Sequence, residues 1–426
     1  MIIQNYRDLA NDRAKINALQ ILNAGLESAI PEKHLRKIIT SKHLCCGKKI
    51  IPFKNYNSIY LLAFGKAADS MSKTVSDIIN FKNGIIVIPK GLSSKTKNKK
   101  FLIFKAGHPT PDKTSLCAAK TIMDFLEKRS QGDLVIFLVS GGASSLLALP
   151  DGISLKDKIL VTKKLLSSGA SIQELNCVRK HLSKIKGGRL IESLKCDAAS
   201  LILSDVIDDD LSSIASGTTY YDKTTFSDAI KVIKKYHLMS KLPNSIIHRL
   251  RLGSLGKILE TPKKSKIPHH IVLRNRDCLQ AMKKKSNELG FSSKTICISG
   301  NVQHAADNLV SQLPKKKNSC IIFGGETTVH VKGTGKGGRN QEIVLHILNK
   351  IQKTKKEVVV ASLGTDGIDG NTKYAGAITK NISLPENEIK LFLDKNDSNA
   401  FFKKYGGLIK TGHTHTNLMD IGLILY

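Results

Sequence analysis

The sequence has no tryptophan, and aromatic residues make up only 5% of its 426 positions. Arginine is scarce as well: 11 of the 67 basic residues are Arg and the rest are Lys. Acidic residues number 35, which leaves a formal charge of +32. A charge of that size first suggests a nucleic-acid partner. Proteins that read base edges or stack on bases lean on Arg and aromatics, and both are in short supply here. The Lys excess, with abundant Ile, Asn and Ser, reads as general composition, and no specific nucleic-acid partner is expected.

Metal-binding cysteine patterns are missing too. The eight cysteines, at 45, 46, 117, 177, 196, 278, 297 and 320, show no CxxC or Cys/His ligand spacing, which argues against a structural zinc site. Reduced thiols in a cytoplasmic protein are expected. The start of the chain has no basic stretch followed by an apolar one, so no secretory signal is expected. The longest apolar runs, such as Leu134–Val139, fall far short of the ~20 residues that span a bilayer, so no membrane partner is expected.

What is present is a globular chain with 41% hydrophobic residues, long enough for two or three domains at ~150 residues each. Tyr6 to about Ala29 reads as an opening helix. A unit then recurs: a short apolar run, a glycine-bearing polar loop and a helical stretch. Apolar runs fall at Ile59–Phe64, Gly84–Ile88, Phe101–Phe104, Leu134–Val139 and Ala199–Leu203. A second set falls at Ile271–Leu273, Thr295–Ile298, Cys320–Phe323, Thr328–Lys332 and Val358–Ser362, with helices at Asp277–Leu289, Ala305–Leu313, Asn340–Ile351 and Glu386–Asp394. Strands that are apolar throughout and alternate with helices indicate parallel sheets covered on both faces. The fold class is therefore α/β, with two Rossmann-like domains and largely parallel or mixed sheets. The expected division is 1–240, a crossover segment 241–268, and 269–426. Lys runs at 95–100, 263–266, 283–285, 315–317 and 353–356 read as solvated surface.

In open parallel sheets ligands bind beyond the carboxyl ends of the strands, and polar motifs collect there. Gly65-Lys66 offers a tight turn, a helix N-terminus and a cation, a combination that favours anions. Ser140, Gly141, Gly142 and Ser144 form a small-residue loop whose N–H groups and hydroxyls suit an oxygen-rich ligand. Asn176, Arg179 and Lys180 share one helix face by their spacing and could clamp a carboxylate or phosphate. Gly333, Gly335 and Gly338 formally match G-x-G-x-x-G, weak evidence for dinucleotide binding because the acidic residue expected after the next strand is missing. With Lys336, Gly337, Arg339 and Asn340, the same segment fits phosphate stabilisation better. Asp205, Glu326 and Asp366, each just after or within a strand end, can hold a divalent metal or accept a proton; Asp and Gly are also ordinary turn residues.

Together these segments resemble the glycerate 2-kinase family with its MOFRL-type C-terminal domain. The carriers are FGKAA (64–68), GHPTPD (107–112), SGGASSLL (140–147), ELNCVRKHLSKIKGGRL (174–190), LSDV (203–206), IASG (214–217), GGETTV (324–329), GKGGRNQE (335–342), GTDGIDG (364–370) and LIKTGHTHTNLMDI (408–421), in family order over about residues 6–421. The resemblance implies two α/β domains around a deep interdomain cleft. It also implies phosphorylation of the 2-hydroxyl of D-glycerate by ATP, with Mg²⁺ or another divalent cation. The family's prominent active-site lysine and arginine would fall on Lys66 and Arg339, where they would stabilise the phosphoryl oxygens. The 140–144 loop, Asn176, Arg179 and the 335–340 segment would hold substrate or phosphate. Monomer and dimer both stay open.

The chain departs from the family pattern in four places. His413 and His415 stand in a final motif that looks like TGPTGTN in the family. Asp208 replaces a Gly, Thr218 replaces a Pro, and Lys373-Tyr374 sit where small or acidic residues are common. An alternative activity, NAD(P)H-dependent hydroxypyruvate reduction, rests only on the formal glycine match.

Overall fold

The structure, a computed structural model, describes the whole chain except Pro314, Lys315, residues 353–356 and Glu386. The Lys run at 353–356, the first lysine of the 315–317 run and the expected helix start at Glu386 therefore lie outside the described residues. The remaining Lys runs lie largely exposed on loops and a helix end, as expected of solvated surface. Among the described residues no helix is long and apolar enough to cross a membrane. The chain folds as two compact units: residues Glu32–Val272, and Met1–Pro31 together with Leu273–Tyr426.

The first unit carries β1 (His43–Cys46), β2 (Lys49–Pro52), β3 (Ser58–Phe64), β4 (Asn83–Pro89), β5 (Phe101–Ala106), β6 (Asp133–Val139), β7 (Asp197–Leu203) and β8 (His269–Leu273). β1 and β2 make a separate hairpin, and the main sheet runs β5-β4-β3-β6-β7-β8. The pairs β4/β5, β3/β4, β3/β6 and β6/β7 are parallel. β3 and β6 are buried from their second residue onward, which explains why both read as unbroken apolar runs rather than alternating ones. Chain order reverses between β3 and β6, so the topological switch point lies between Gly65-Lys66 and Ser140-Gly141-Gly142.

A helical layer completes this unit. Helices Leu155–Ser167, Ile172–His181, Phe226–Lys235 and Asn244–Ser254 share a core of Val161, Leu165, Val178, Phe226, Ile233 and Leu250. Each such fully buried side chain contributes about 1.5–3 kcal/mol. The 241–268 stretch expected to cross between domains is thus part of the first unit. Ile246, Ile247 and Leu250 bury one helix face, and a Cβ at Gly253 would lie 2.2 Å from the Phe226 ring. β8, expected to open the second strand set, instead lies beside β7.

The second unit holds β9 (Ser292–Asn301), β10 (Ser319–Thr328), β11 (Val359–Gly364), β12 (Gly376–Lys380), β13 (Leu408–Ile409) and β14 (Asp420–Leu425) in the order β13-β12-β11-β14-β10-β9. This sheet is mixed: β9/β10 are parallel, while β14 runs antiparallel to both β10 and β11. The strand expected at 320–323 runs on to Thr328, and the strand expected at 328–332 does not form beyond that residue. The opening helix, Arg13–Ser28, starts at Asp12, whose carboxylate accepts the Lys15 N–H at 2.9 Å. It belongs to this second unit rather than to the N-terminal half. Gly25 lets it approach Met282 and Ile421, where a Cβ would lie under 3 Å from both side chains. All eight cysteines are free thiols.

Candidate active site

The switch point of the first unit is built by three short connections. Lys66 N–H donates to Gly141 O at 2.9 Å, Ala67 N–H donates to Ser140 Oγ at 3.0 Å, and Ser140 N–H donates to Phe64 O at 3.1 Å. Gly65 has φ +131°, and a Cβ there would lie 2.1 Å from Ser140 Oγ; the turn therefore needs glycine. Ser140 is fully buried and its oxygen accepts from backbone, so it ties β3 to β6. Gly142, at φ +81°, lies against the His108 ring and the Lys66 side chain. Lys66 is half-buried at this point, beyond the carboxyl ends of the two central strands, where open α/β sheets bind ligands.

A second cluster lies in the same unit. Asn176 Oδ1 accepts Ser216 Oγ–H at 2.9 Å and an Arg179 N–H at 3.5 Å. Ser144 Oγ and Ser216 Oγ are 2.7 Å apart, and Arg179 reaches Ser144 O at 3.5 Å. Ser144 and the Asn176–Arg179 helix face, expected from two separate segments, thus meet. Ala215 and Ser216 both have left-handed backbone, φ +53° and +56°, which costs a non-glycine residue about 1–2 kcal/mol each. The Thr218 hydroxyl donates to Ala215 O at 2.7 Å, a bond the proline of the family pattern could not make. Asp205 is half-buried just past β7. Asp208 is exposed, and Asp210 caps the following turn through Ser212 and Ser213.

Sequence reasoning passed over two members of this neighbourhood. Lys158 and Lys186 are buried, at 3% and 0% exposure. Burial pushes Lys158 down to about 7, and the Arg179 charge adds to the shift. Burial, then the charges of Lys158 and Arg179, push Lys186 well below the usual lysine range. The signal for Lys158 was available: it occupies the buried face of its helix together with Val161 and Leu165, where an apolar residue belongs.

In the second unit the site centres on Arg339, first residue of the helix Arg339–Ile351. Its Nε and Nη2 donate to the two oxygens of Asp420, at 2.5 and 3.0 Å, and Nη1 lies 3.0 Å from Glu326 Oε1. Burial opposes the guanidinium charge, but Asp420 and Glu326 outweigh it and hold its pKa above the usual range. Burial raises Asp420, with Arg339 pulling it back. Asp420 reaches this position because β14 is antiparallel: its first residue pairs with Gly325 of β10 and Gly364 of β11, at the carboxyl ends of both. Asp366, half-buried, follows the same end of β11, and its carboxylate accepts the Ile368 N–H at 3.1 Å.

Asp369 closes the N-terminus of the Arg339 helix, accepting the N–H groups of Asn340 at 2.9 Å and Gln341 at 2.8 Å. Burial raises it to about 6 against the pull of those donors. The glycine-rich segment is held in the same way. Gly335 N–H goes to Lys395 O, Lys336 N–H to Asp397, Gly337 N–H to Asn371 and Asn340 N–H to Asp369. These four groups are therefore held by other loops of the same unit. The glycines are needed for close packing: a Cβ at Gly335 would be 2.4 Å from Asp397 Cβ, and one at Gly338 would be 2.3 Å from Asp369 Oδ1. Five N–H groups of this stretch, those of Gly333, Gly335, Lys336, Gly337 and Asn340, are thus engaged within the protein.

His413 is exposed while His415 is buried at φ +59°, so the two do not form a metal pair. Histidine here occupies backbone that suits the glycine of the family motif. Among the described residues no group of three or more His, Cys, Asp or Glu is arranged to hold a metal.

Two family models match the chain: a domain of unknown function (DUF4147) over residues 17–251, and the MOFRL family over residues 319–420. The glycerate 2-kinase of Pyrococcus horikoshii is 35% identical over 425 residues, covering 95% of each chain. The D-glycerate 2-kinase of Thermotoga maritima is 35% identical over 430 residues, covering 96% of this chain and 98% of its own. The crystal structure of a glycerate kinase from Thermotoga maritima superposes with a TM-score of 0.79 at 33% identity, over 96% of this chain and 98% of that one.

Proposed function

The chain belongs to the glycerate 2-kinase family, and we propose on that premise that it transfers the γ-phosphoryl group of ATP to the 2-hydroxyl of D-glycerate. End-to-end likeness to glycerate 2-kinases carries this reading, and the two loci described above support it. They differ in electrostatic character. The first unit gathers Lys66 and Arg179 with hydroxyl and amide groups, and suits anionic substrate atoms. The second surrounds one guanidinium with Asp420, Glu326, Asp369 and Asp366, and suits a cation.

Phosphoryl transfer depends on positioning and charge neutralisation more than on covalent chemistry by the protein. Lys66, at the switch point, is the cation we assign to the transferring phosphoryl oxygens. Arg339 spends three of its five N–H donors on Asp420 and Glu326. Its first task is to fix those carboxylates; two donors remain for a phosphate oxygen.

Mg²⁺ takes only one or two protein carboxylates and completes its shell with water and substrate phosphates, so a three-carboxylate cage is not required. Glu326, exposed over about half of its side chain, and half-buried Asp366 fit that limited demand. When bound, the ion would neutralise charge on the nucleotide phosphates.

Purified protein with D-glycerate, ATP and Mg²⁺ should release ADP only when glycerate is present. Phosphorus NMR of the product should show 2-phosphoglycerate. Formation of the 3-phospho isomer would overturn the assignment of the hydroxyl; glycerate-independent ADP release would overturn the substrate.

A further inference from the structure

Lys158, Arg179 and Lys186 belong to three successive segments of the first unit: the Leu155–Ser167 helix, the Ile172–His181 helix and the loop that follows it. Their charges act on one another, and no carboxylate contributes to the balance of any of the three. The contrast with the neighbouring residue is informative. Lys180 is buried too, and it is paired with the equally buried Asp222 at 3.1 Å. The fold thus pairs one buried lysine with an acid and leaves three basic side chains without one.

Lys158 Nζ is fully enclosed and has no protein acceptor among the described residues, and Arg179 Nε is in the same position. Among the described residues, Lys186 Nζ has one acceptor, the Ala215 carbonyl at 3.4 Å. A buried ammonium without a partner is costly. Three together mark a place arranged for an anion. The backbone supports the same conclusion: the strained Ala215-Ser216 pair holds Ser216 Oγ between Ser144 and Asn176, beside Arg179.

We propose that Lys158, Arg179 and Lys186 form a buried receptor for the carboxylate of a small 2-hydroxy acid, with Ser144, Asn176 and Ser216 as its polar rim. The inference rests on the glycerate 2-kinase reading and specifies how that substrate is held. A carboxylate fits better than a nucleotide's phosphate chain because the receptor is enclosed and its rim is made of neutral hydroxyl and amide groups, which match a hydroxyl next to the acid.

The charged groups acting on Lys158 are Arg179 and Lys186, so an arriving carboxylate is its first negative neighbour. Binding must then raise the lysine's proton affinity. The free protein holds Lys158 near 7, so at pH 8 binding should draw a proton from the buffer. At pH 6, where Lys158 is already largely protonated, its share of that uptake should vanish.

The test is calorimetric titration of wild type, Lys158→Met and Lys186→Met with D-glycerate and, separately, with Mg·ADP, in two buffers of different ionisation enthalpy. Either variant should weaken glycerate about 10–100-fold, the worth of a hydrogen bond to a charged group, and leave Mg·ADP binding unchanged. Lys158→Met should also reduce proton uptake at pH 8 and raise Tm, because it removes a buried polar group that has no acceptor among the described residues. Unchanged glycerate affinity in both folded variants overturns the receptor. Loss of Mg·ADP binding in place of glycerate assigns the cations to nucleotide phosphate and overturns the carboxylate. Should wild type bind D-lactate or malate but not glycerate, with Lys158→Met binding neither, the receptor stands and the glycerate reading falls. Failure of wild type to bind any of these acids overturns the receptor itself.

Discussion

The Arg339 guanidinium grips the Asp420 carboxylate at two points, Nε to Oδ2 at 2.5 Å and Nη2 to Oδ1 at 3.0 Å. The two residues lie 81 positions apart in the chain. They meet because an antiparallel strand begins where two others end. Asp420 also accepts from Asn340 Nδ2 at 2.9 Å, so the carboxylate is held by two consecutive residues of one helix start.

Removing the guanidinium leaves a buried carboxylate without its cation. Arg339→Ala should cost about 3 kcal/mol of stability, at the low end for a buried pair because the arginine keeps some exposure. It should also lower kcat by roughly 100-fold or more if the residue supplies a few kcal/mol to the transition state. Arg339→Lys should restore charge but not the two-point geometry, and should recover less than a tenth of the lost activity. Urea midpoints and steady-state rates check both; full activity in the lysine variant would show that only charge matters.

Lys66 should behave differently. It is half-buried and stands on a turn held by backbone bonds of its neighbours. Lys66→Ala should reduce kcat about 100-fold and shift Tm by no more than 1–2 °C, equivalent to a surface-scale change. Wild-type turnover in this variant removes Lys66 from the chemistry.

The glycine-rich segment offers a discriminating case. Gly335→Ala must push against Asp397 and Lys395, an overpacking that costs about 1–3 kcal/mol. Because its N–H is already spent on Lys395 O, nucleotide affinity in the folded variant should change less than threefold. A loss beyond tenfold, measured by Mg·ADP titration, would mark the loop as a phosphate cradle.

Glu342 supplies a pH prediction. Burial raises it to about 7, above its ordinary 4.5, with the Asn396 amide opposing. Between those values the folded protein binds more protons than the unfolded chain, so this group's contribution makes stability fall as pH rises from 4.5 to 7. Glu342→Gln removes that slope. The variant should match wild type near pH 4 and exceed it by about 2 kcal/mol at pH 8. Parallel stability curves across that range would show that Glu342 titrates normally.

The strands of the first unit were legible because parallel strands buried on both faces leave unbroken apolar runs. β12, β13 and β14 were not read: Gly376–Lys380 and Leu408–Ile409 are short, and Asp420–Leu425 begins with an acid and a nearby glycine. Lys66 and Ser144 could be picked out because polar residues at the ends of apolar runs stand out locally, and Asn176 and Arg179 because their spacing puts them on one helix face. The packing role of the glycine-rich segment was not legible for a related reason. Glycine needed for packing and glycine needed for a ligand have the same letter, and only the neighbouring 395–398 and 369–371 segments distinguish them.

By itself the sequence determined the α/β class, the family and the positions of the polar loops, since each is written in local spacing and in the order of motifs. The tertiary structure decided the rest. It placed the opening helix with the C-terminal unit, set Asp420 and Asp369 around Arg339, and put Lys158 and Lys186 beside Arg179 without an acid. Those facts depend on strand direction and on which charges share a dry interior, and residues far apart in sequence acquire that relation only when the chain has folded.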